Sequence, residues 1–149
     1  QTSAKMASVI TGYATEQLAT RVEDLVLGEG LQVSALGGLS GEVTWVRGDV
    51  SIGVRKGKHF PVYALELELP WSGHGCSGLL LLPDVCLELL ADVEVEVQTT
   101  EGTLPAAAAE VLQTAGVAAV RAAVQAWGHA LARTVREDST RAAVPLDPP

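Results

Sequence analysis

The sequence predicts an α+β domain: an N-terminal helix, a four-stranded antiparallel meander sheet and a long C-terminal helix packed on the sheet. Three changes of period carry this reading. Apolar residues recur at three- and four-residue steps before Gly28, alternate from Glu42 to Thr99, and return to helical spacing after Pro105. One sheet with a helix covering one face is the simplest way to bury such patterns together.

The bulk composition is compatible with that fold. A chain of 149 residues with 48% apolar and 19% charged residues favours one globular domain that buries its core without metal or disulfide support. Aromatics are only 4%, so Leu, Val and Ala must fill most of the core. Residues 1–10 are expected to be a loose segment, 11–138 the folded domain and 139–149 a Pro-rich tail or linker.

The first helix is expected over Ser8–Leu27, with Val9, Tyr13, Leu18, Val22, Leu25 and Val26 on its stripe and Gly28 and Gly30 at its end. Leu31–Ser40 reads as a connection that has room for a short strand. Val43, Trp45 and Arg47 then alternate with polar neighbours, after which Val50, Ile52 and Val54 take the opposite parity. That change of phase at Gly48–Asp49 predicts a bulge. Arg55–Lys58 is a tight turn, with Gly57 available for positive φ.

Lys58–Trp71 is the clearest strand. Tyr63, Leu65, Leu67, Leu69 and Trp71 share one face, which must be the core; Val62, Ala64, Glu66 and Glu68 share the other. Pro61 removes a ladder donor and marks an edge or a bulge. A short apolar run, Leu79–Leu82, ends at Pro83. Asp92–Thr99 alternates again, with Val93, Val95 and Val97 inward. Ala106–Arg136 is a long helix with Val120, Val124, Trp127, Leu131 and Val135 as its buried stripe. Gly116 and Gly128 weaken it unless they allow close packing on the sheet.

Charge is distributed unevenly. The net charge is 10 − 18 = −8, which argues against general nucleic-acid binding. Between Val22 and Val120 the Lys and Arg residues are Arg47, Arg55, Lys56 and Lys58, and acidic residues follow close behind. The domain should therefore be electrically polarised. No secretory segment is readable and no apolar run approaches a membrane span, so no membrane partner is expected. Cys76 and Cys86 are expected to be reduced, which fits a cytoplasmic protein.

The stretch Gly48-Asp49-Val50-Ser51-Ile52-Gly53-Val54-Arg55-Lys56-Gly57-Lys58 resembles the hairpin of the activators of heat-shock protein 90 ATPase. That hairpin ends in Arg-Lys-Gly-Lys and is followed by a long alternating strand. A shorter strand then ends near Pro-Glu/Asp-Val, here Pro83-Asp84-Val85. Element order agrees from about Gly12 to Arg136. Two features differ: Gly53-Val54 replaces the family's asparagine before the motif, and its Trp-His-Trp segment has no counterpart in Gln1–Ala7. Full-length members also carry a second domain.

The resemblance implies a non-catalytic, monomeric co-chaperone domain with no cofactor. It would dock on the middle domain of heat-shock protein 90 and favour the chaperone's ATPase-active arrangement. The implied contact residues are Asp49, Arg55, Lys56, Lys58, Phe60, Val62 and Leu87.

Read from the residues alone, Arg55, Lys56 and Lys58 are either a solvated turn guarding a sheet edge or cations offered to a partner. By parity Phe60 and Val62 point outward beside them, an apolar pair rimmed by charge. A bulge at Pro61 would instead turn Phe60 into the core.

Gly53-x-x-x-Gly57-Lys58 is one residue short of a phosphate loop, has His59 where the magnesium-binding hydroxyl belongs, and opens no helix. His59, His74, His129, Cys76 and Cys86 share no zinc spacing. His74 and Cys76 have no readable third member for nucleophilic catalysis. Trp45, Trp71 and Trp127 read as core anchors. A small-ligand carrier and an unrelated interaction module remain as alternatives.

Overall fold

A computed structural model describes residues 2–36 and 45–146, with side chains over 10–36 and 45–137. The expected strand start at 42–44, with Val43, lies outside the described residues. So do Gln1, residues 37–41 and the last three positions of the expected tail.

Helix α1 spans Thr2–Val22, so it begins within the segment expected to be loose and ends earlier than the glycines suggest. Its end is set at Asp24, which takes a left-handed φ of 62°. The buried stripe is Ala14, Leu18 and Val22, a run of four-residue steps. Tyr13 faces solvent and Leu25 and Val26 leave the helix, correcting the predicted stripe. Two short strands follow, β1 (Val26–Gly28) and β2 (Leu31–Val33).

The main strands are β3 (Val46–Arg55), β4 (Lys58–Gly73), β5 (Cys76–Cys86) and β6 (Glu96–Glu101). All pairings are antiparallel. The described sheet has six strands, ordered β1-β2-β4-β5-β6 with β3 also on β4. β1 and β2 enlarge the predicted meander of four. β2 and β3 share one edge of β4, because β3 pairs with it from Lys58 to Leu67 and β2 at Trp71 and Ser72.

β3 and β4 pair without a register break from Val46↔Leu67 to Arg55↔Lys58, so no bulge sits at Gly48–Asp49. The apparent phase change has another cause. Trp45 is buried from a bend before the strand, its carbonyl accepting from Glu68 N at 2.8 Å. Arg47 belongs to the outer face with its partner Glu66. Gly48 has φ 119°, and a Cβ there would lie 2.1 Å from the Ala64 carbonyl oxygen. On β4 the irregularity falls instead where β5 shifts against Leu65–Leu67. Pro83 and Asp84 there oppose Glu66, and burial on β5 passes from Leu80 and Leu82 to Val85.

Helix α2 (Ala106–Val111) runs through a π-helical turn at Leu112–Gly116 into α3 (Val117–Leu146). Residues 139–146, expected as tail, continue this helix. Val120, Val124, Trp127, Leu131 and Val135 are buried as their spacing predicts. The glycines allow close approach. A Cβ at Gly116 would sit 3.3 Å from Leu27 Cβ, and one at Gly128 would sit 2.5 Å from Leu90 Cδ2.

Alanine makes Ala106–Glu137 apolar and long enough, by composition, to cross a bilayer, which the sequence reading did not anticipate. Its stripe packs on the sheet. Trp127 Nε1 donates to the Ala14 carbonyl at 2.8 Å and Trp71 Nε1 to the Gln98 carbonyl at 3.0 Å, so the indoles of Trp71 and Trp127, the two most deeply buried tryptophans, are satisfied.

Candidate protein-docking site

The distal half of the β3–β4 hairpin extends past the rest of the sheet. β5 reaches β4 only from Ala64 onward, so Lys58–Tyr63 is paired on the β3 side alone. Pro61 lies in this stretch, where a missing donor leaves no gap in a second ladder. Thr11 fixes the base of the hairpin to α1. Its hydroxyl accepts from Val50 N and donates to Val50 O, each at 3.0 Å.

Directly opposed residues of an antiparallel pair share a face. Register therefore groups Asp49, Ser51, Gly53 and Arg55 on β3 with Lys58, Phe60, Val62 and Ala64 on β4. This is the face away from the core, since Pro61, Tyr63 and Leu65 between them are buried. No register break occurs at Pro61, so Phe60 is on the outer face and the alternative that placed it in the core is excluded. Phe60 is half-buried and Val62 is 40% exposed.

Gly53 explains how Phe60 is held. A Cβ at Gly53 would come within 2.8 Å of Phe60 Cζ and 3.1 Å of Val62 Cγ2. The ring and the valine methyl thus lie over a bare backbone. The substitution that departs from the family's asparagine pattern leaves the space these side chains use. Sequence reading could not find this contact, because it depends on register.

The turn presents the charge. Lys56 and Gly57 have φ 53° and 77°, the pair of left-handed conformations that a two-residue type I′ turn requires. Asparagine is the residue usually preferred at the first of these positions, so a lysine there is conformationally costly by about 1 kcal/mol. Residues held in this region cluster at functional sites. Arg55, Lys56, Lys58 and Asp49 are all exposed. Among the described residues Arg47 forms ion pairs with Glu68 at 3.2 Å and Glu66 at 4.0 Å. The three cations at the tip have no carboxylate within that range among the described residues. Leu87 follows the end of β5, one residue beyond the Cys86↔Ala64 pair, and is 39% exposed.

His74 and Cys76 do not form a nucleophile–base pair. His74 is exposed and its Nε2 is 3.0 Å from the Glu29 carbonyl, while Cys76 Sγ contacts the His74 carbonyl at 3.5 Å. The thiol and imidazole therefore do not pair. No metal-holding group of His, Cys, Asp and Glu occurs among the described residues. Tyr63, Leu65, Leu67 and Trp71 fill the space between sheet and helices, where a carrier would need its pocket.

Residues 9–135 match the family described as activator of Hsp90 ATPase, N-terminal. The chain belongs to that family. The fold matches a crystal structure of Aha-1 from Plasmodium falciparum with a TM-score of 0.64, over 93% of each chain and at 16% identity. At that identity the likeness concerns the fold. Comparison with curated proteins returns no match. In this activator-family domain the Arg55–Lys58 turn adjoins an outward apolar pair, Phe60 and Val62, on one hairpin.

Proposed function

We propose that this chain is a co-chaperone domain that docks through the outer face of the β3–β4 hairpin on the middle domain of heat-shock protein 90. By doing so it stimulates the chaperone's ATPase. The observation that carries the reading is the grouping of Arg55 and Lys58 with Phe60 and Val62 on one face of a projecting ribbon, with Lys56 in the adjoining turn, none of the three cations being ion-paired among the described residues, in a chain of the activator family. Phe60, Val62 and Leu87 supply apolar area. Arg55 offers a bidentate donor to a carboxylate, and Lys56 and Lys58 act as point charges.

The domain contributes no reacting group in this reading. It shifts the chaperone's conformational population, which requires tighter binding to the active arrangement than to the inactive one. It acts as a monomer, and its free Cys76 and Cys86 suit a reducing compartment such as the cytoplasm.

Isothermal titration of the chain with the isolated middle domain tests the docking. Phe60→Asp should abolish measurable heat of binding without lowering the melting temperature by more than a few degrees, because the ring is half-exposed. Unchanged binding by this variant would remove the hairpin face from the interface.

A further inference from the structure

The outer face continues past the hairpin. Beyond Val62, β4 carries Glu66 and Glu68 on the same side. Register places Leu81 of β5 opposite Glu68, and Glu96 of β6 opposite Leu81. Glu66, Glu68, Leu81, Pro83, Glu94 and Glu96 line a groove of about 550 Å³. Leu67, Val95, Val97 and Gln113 also line it; on the outer face its apolar part is Leu81 and Pro83, with the carboxylates around them. Arg47 reaches Glu66 and Glu68 from an exposed position. Glu94 and Glu96 have no cation within ion-pair distance among the described residues. Glu96 accepts one hydrogen bond, from Gln98 Nε2 at 3.3 Å.

The face is therefore ordered along one strand: cations at the tip, apolar side chains in the middle, carboxylates at the far end. At ~3.3 Å per residue, Lys58 and Glu68 are roughly 33 Å apart. That is several times the ~8–10 Å over which salt screens exposed charges. The two ends thus meet different groups of whatever docks here.

We infer that the docking face is bipolar, and that the Glu66–Glu68–Glu94–Glu96 groove receives a lysine- or arginine-bearing segment of the same partner whose carboxylates meet the hairpin tip. This rests on the reading of the hairpin face as the chaperone-docking surface. Charge complementarity selects the occupant: on a chain of net charge −8, four carboxylates around an apolar floor fit a cation whose methylene stem packs on Leu81 and Pro83. A second copy of the chain would bring another −8 and is disfavoured. The order of charges also fixes orientation, because a partner docked the other way round would place like charges together at both ends.

The test is titration with the chaperone's middle domain at low and high salt, using the full chain, the double variant Glu94→Lys/Glu96→Lys, and Phe60→Asp. Both glutamates are exposed, so the double variant should melt as the parent does. It is expected to bind roughly tenfold more weakly at low salt and to lose part of the parent's salt dependence. Parent-like binding by the double variant, with Phe60→Asp inactive, overturns the bipolar assignment and leaves the hairpin reading standing. Parent-like binding by both variants removes the hairpin reading and the bipolar assignment with it. Sedimentation of the chain alone should give a monomer. A dimer that dissociates with salt and with the double variant would assign the groove to a second copy and overturn the proposal.

Discussion

Phe60 and Tyr63 stand three residues apart on one strand and face opposite surroundings. Alternation along β4 placed Tyr63 inward but left Phe60 open to a bulge at Pro61, and the continuous β3–β4 register sets it outward. The cover over Phe60 was not legible, because Gly53 meets it only through the β3–β4 register. Tyr63 is 3% exposed, stacks edge-on against Trp127 with centroids 4.9 Å apart, and its hydroxyl has no protein hydrogen-bond partner. Burial, then the nearby Cys86 and Glu88, push its pKa from 10.0 up to about 12. An unpartnered buried hydroxyl costs on the order of 1–3 kcal/mol.

Tyr63→Phe should therefore leave the fold unchanged or stabilise it by about 1 kcal/mol, as read by denaturant unfolding. The pH dependence has a defined sign. The folded state favours the neutral phenol, so this contribution is complete below the unfolded pKa near 10 and is lost as pH rises toward about 12. The parent should lose on the order of 2–3 kcal/mol across that range, and Tyr63→Phe should lose correspondingly less.

At the scale of elements, long periodic segments were legible and short ones were not. The α3 stripe from Val120 to Val135 and the core face of β4 followed from spacing alone. β1 and β2 span Val26–Gly28 and Leu31–Val33, too few residues to establish a period, and Leu25 and Val26 mimicked one more helical turn. The mistaken bulge at Gly48–Asp49 arose because Trp45 is buried from outside the strand. The Pro83–Asp84 irregularity was hidden in what looked like a strand end.

The hairpin turn allows a separation of stability from binding. Lys56→Asn supplies the residue that a type I′ turn prefers and should raise stability by about 0.5–1 kcal/mol. It should also weaken binding to the chaperone's middle domain. Thermal melts and titration on the same sample check both directions. A variant less stable than the parent would contradict the strain assigned to Lys56 at φ 53°.

Across the whole molecule, the sequence's uneven charge becomes an ordered surface. α1, α3 and the buried face of the sheet form one core, which leaves the opposite sheet face to carry the basic tip, the apolar pair and the carboxylates. The tip was legible as a motif and Phe60 and Val62 as a parity. The groove was not, because Glu66 and Glu68 meet Glu94 and Glu96 through strand order rather than sequence proximity.

The proposed role of this face is to activate the chaperone. Its most direct test is the chaperone's steady-state ATP hydrolysis with increasing amounts of the chain, beside Arg55→Ala/Lys56→Ala/Lys58→Ala at the same concentrations. Saturable stimulation by the parent that falls as salt rises is expected, and little or none by the triple variant. Equal stimulation by both proteins would contradict it.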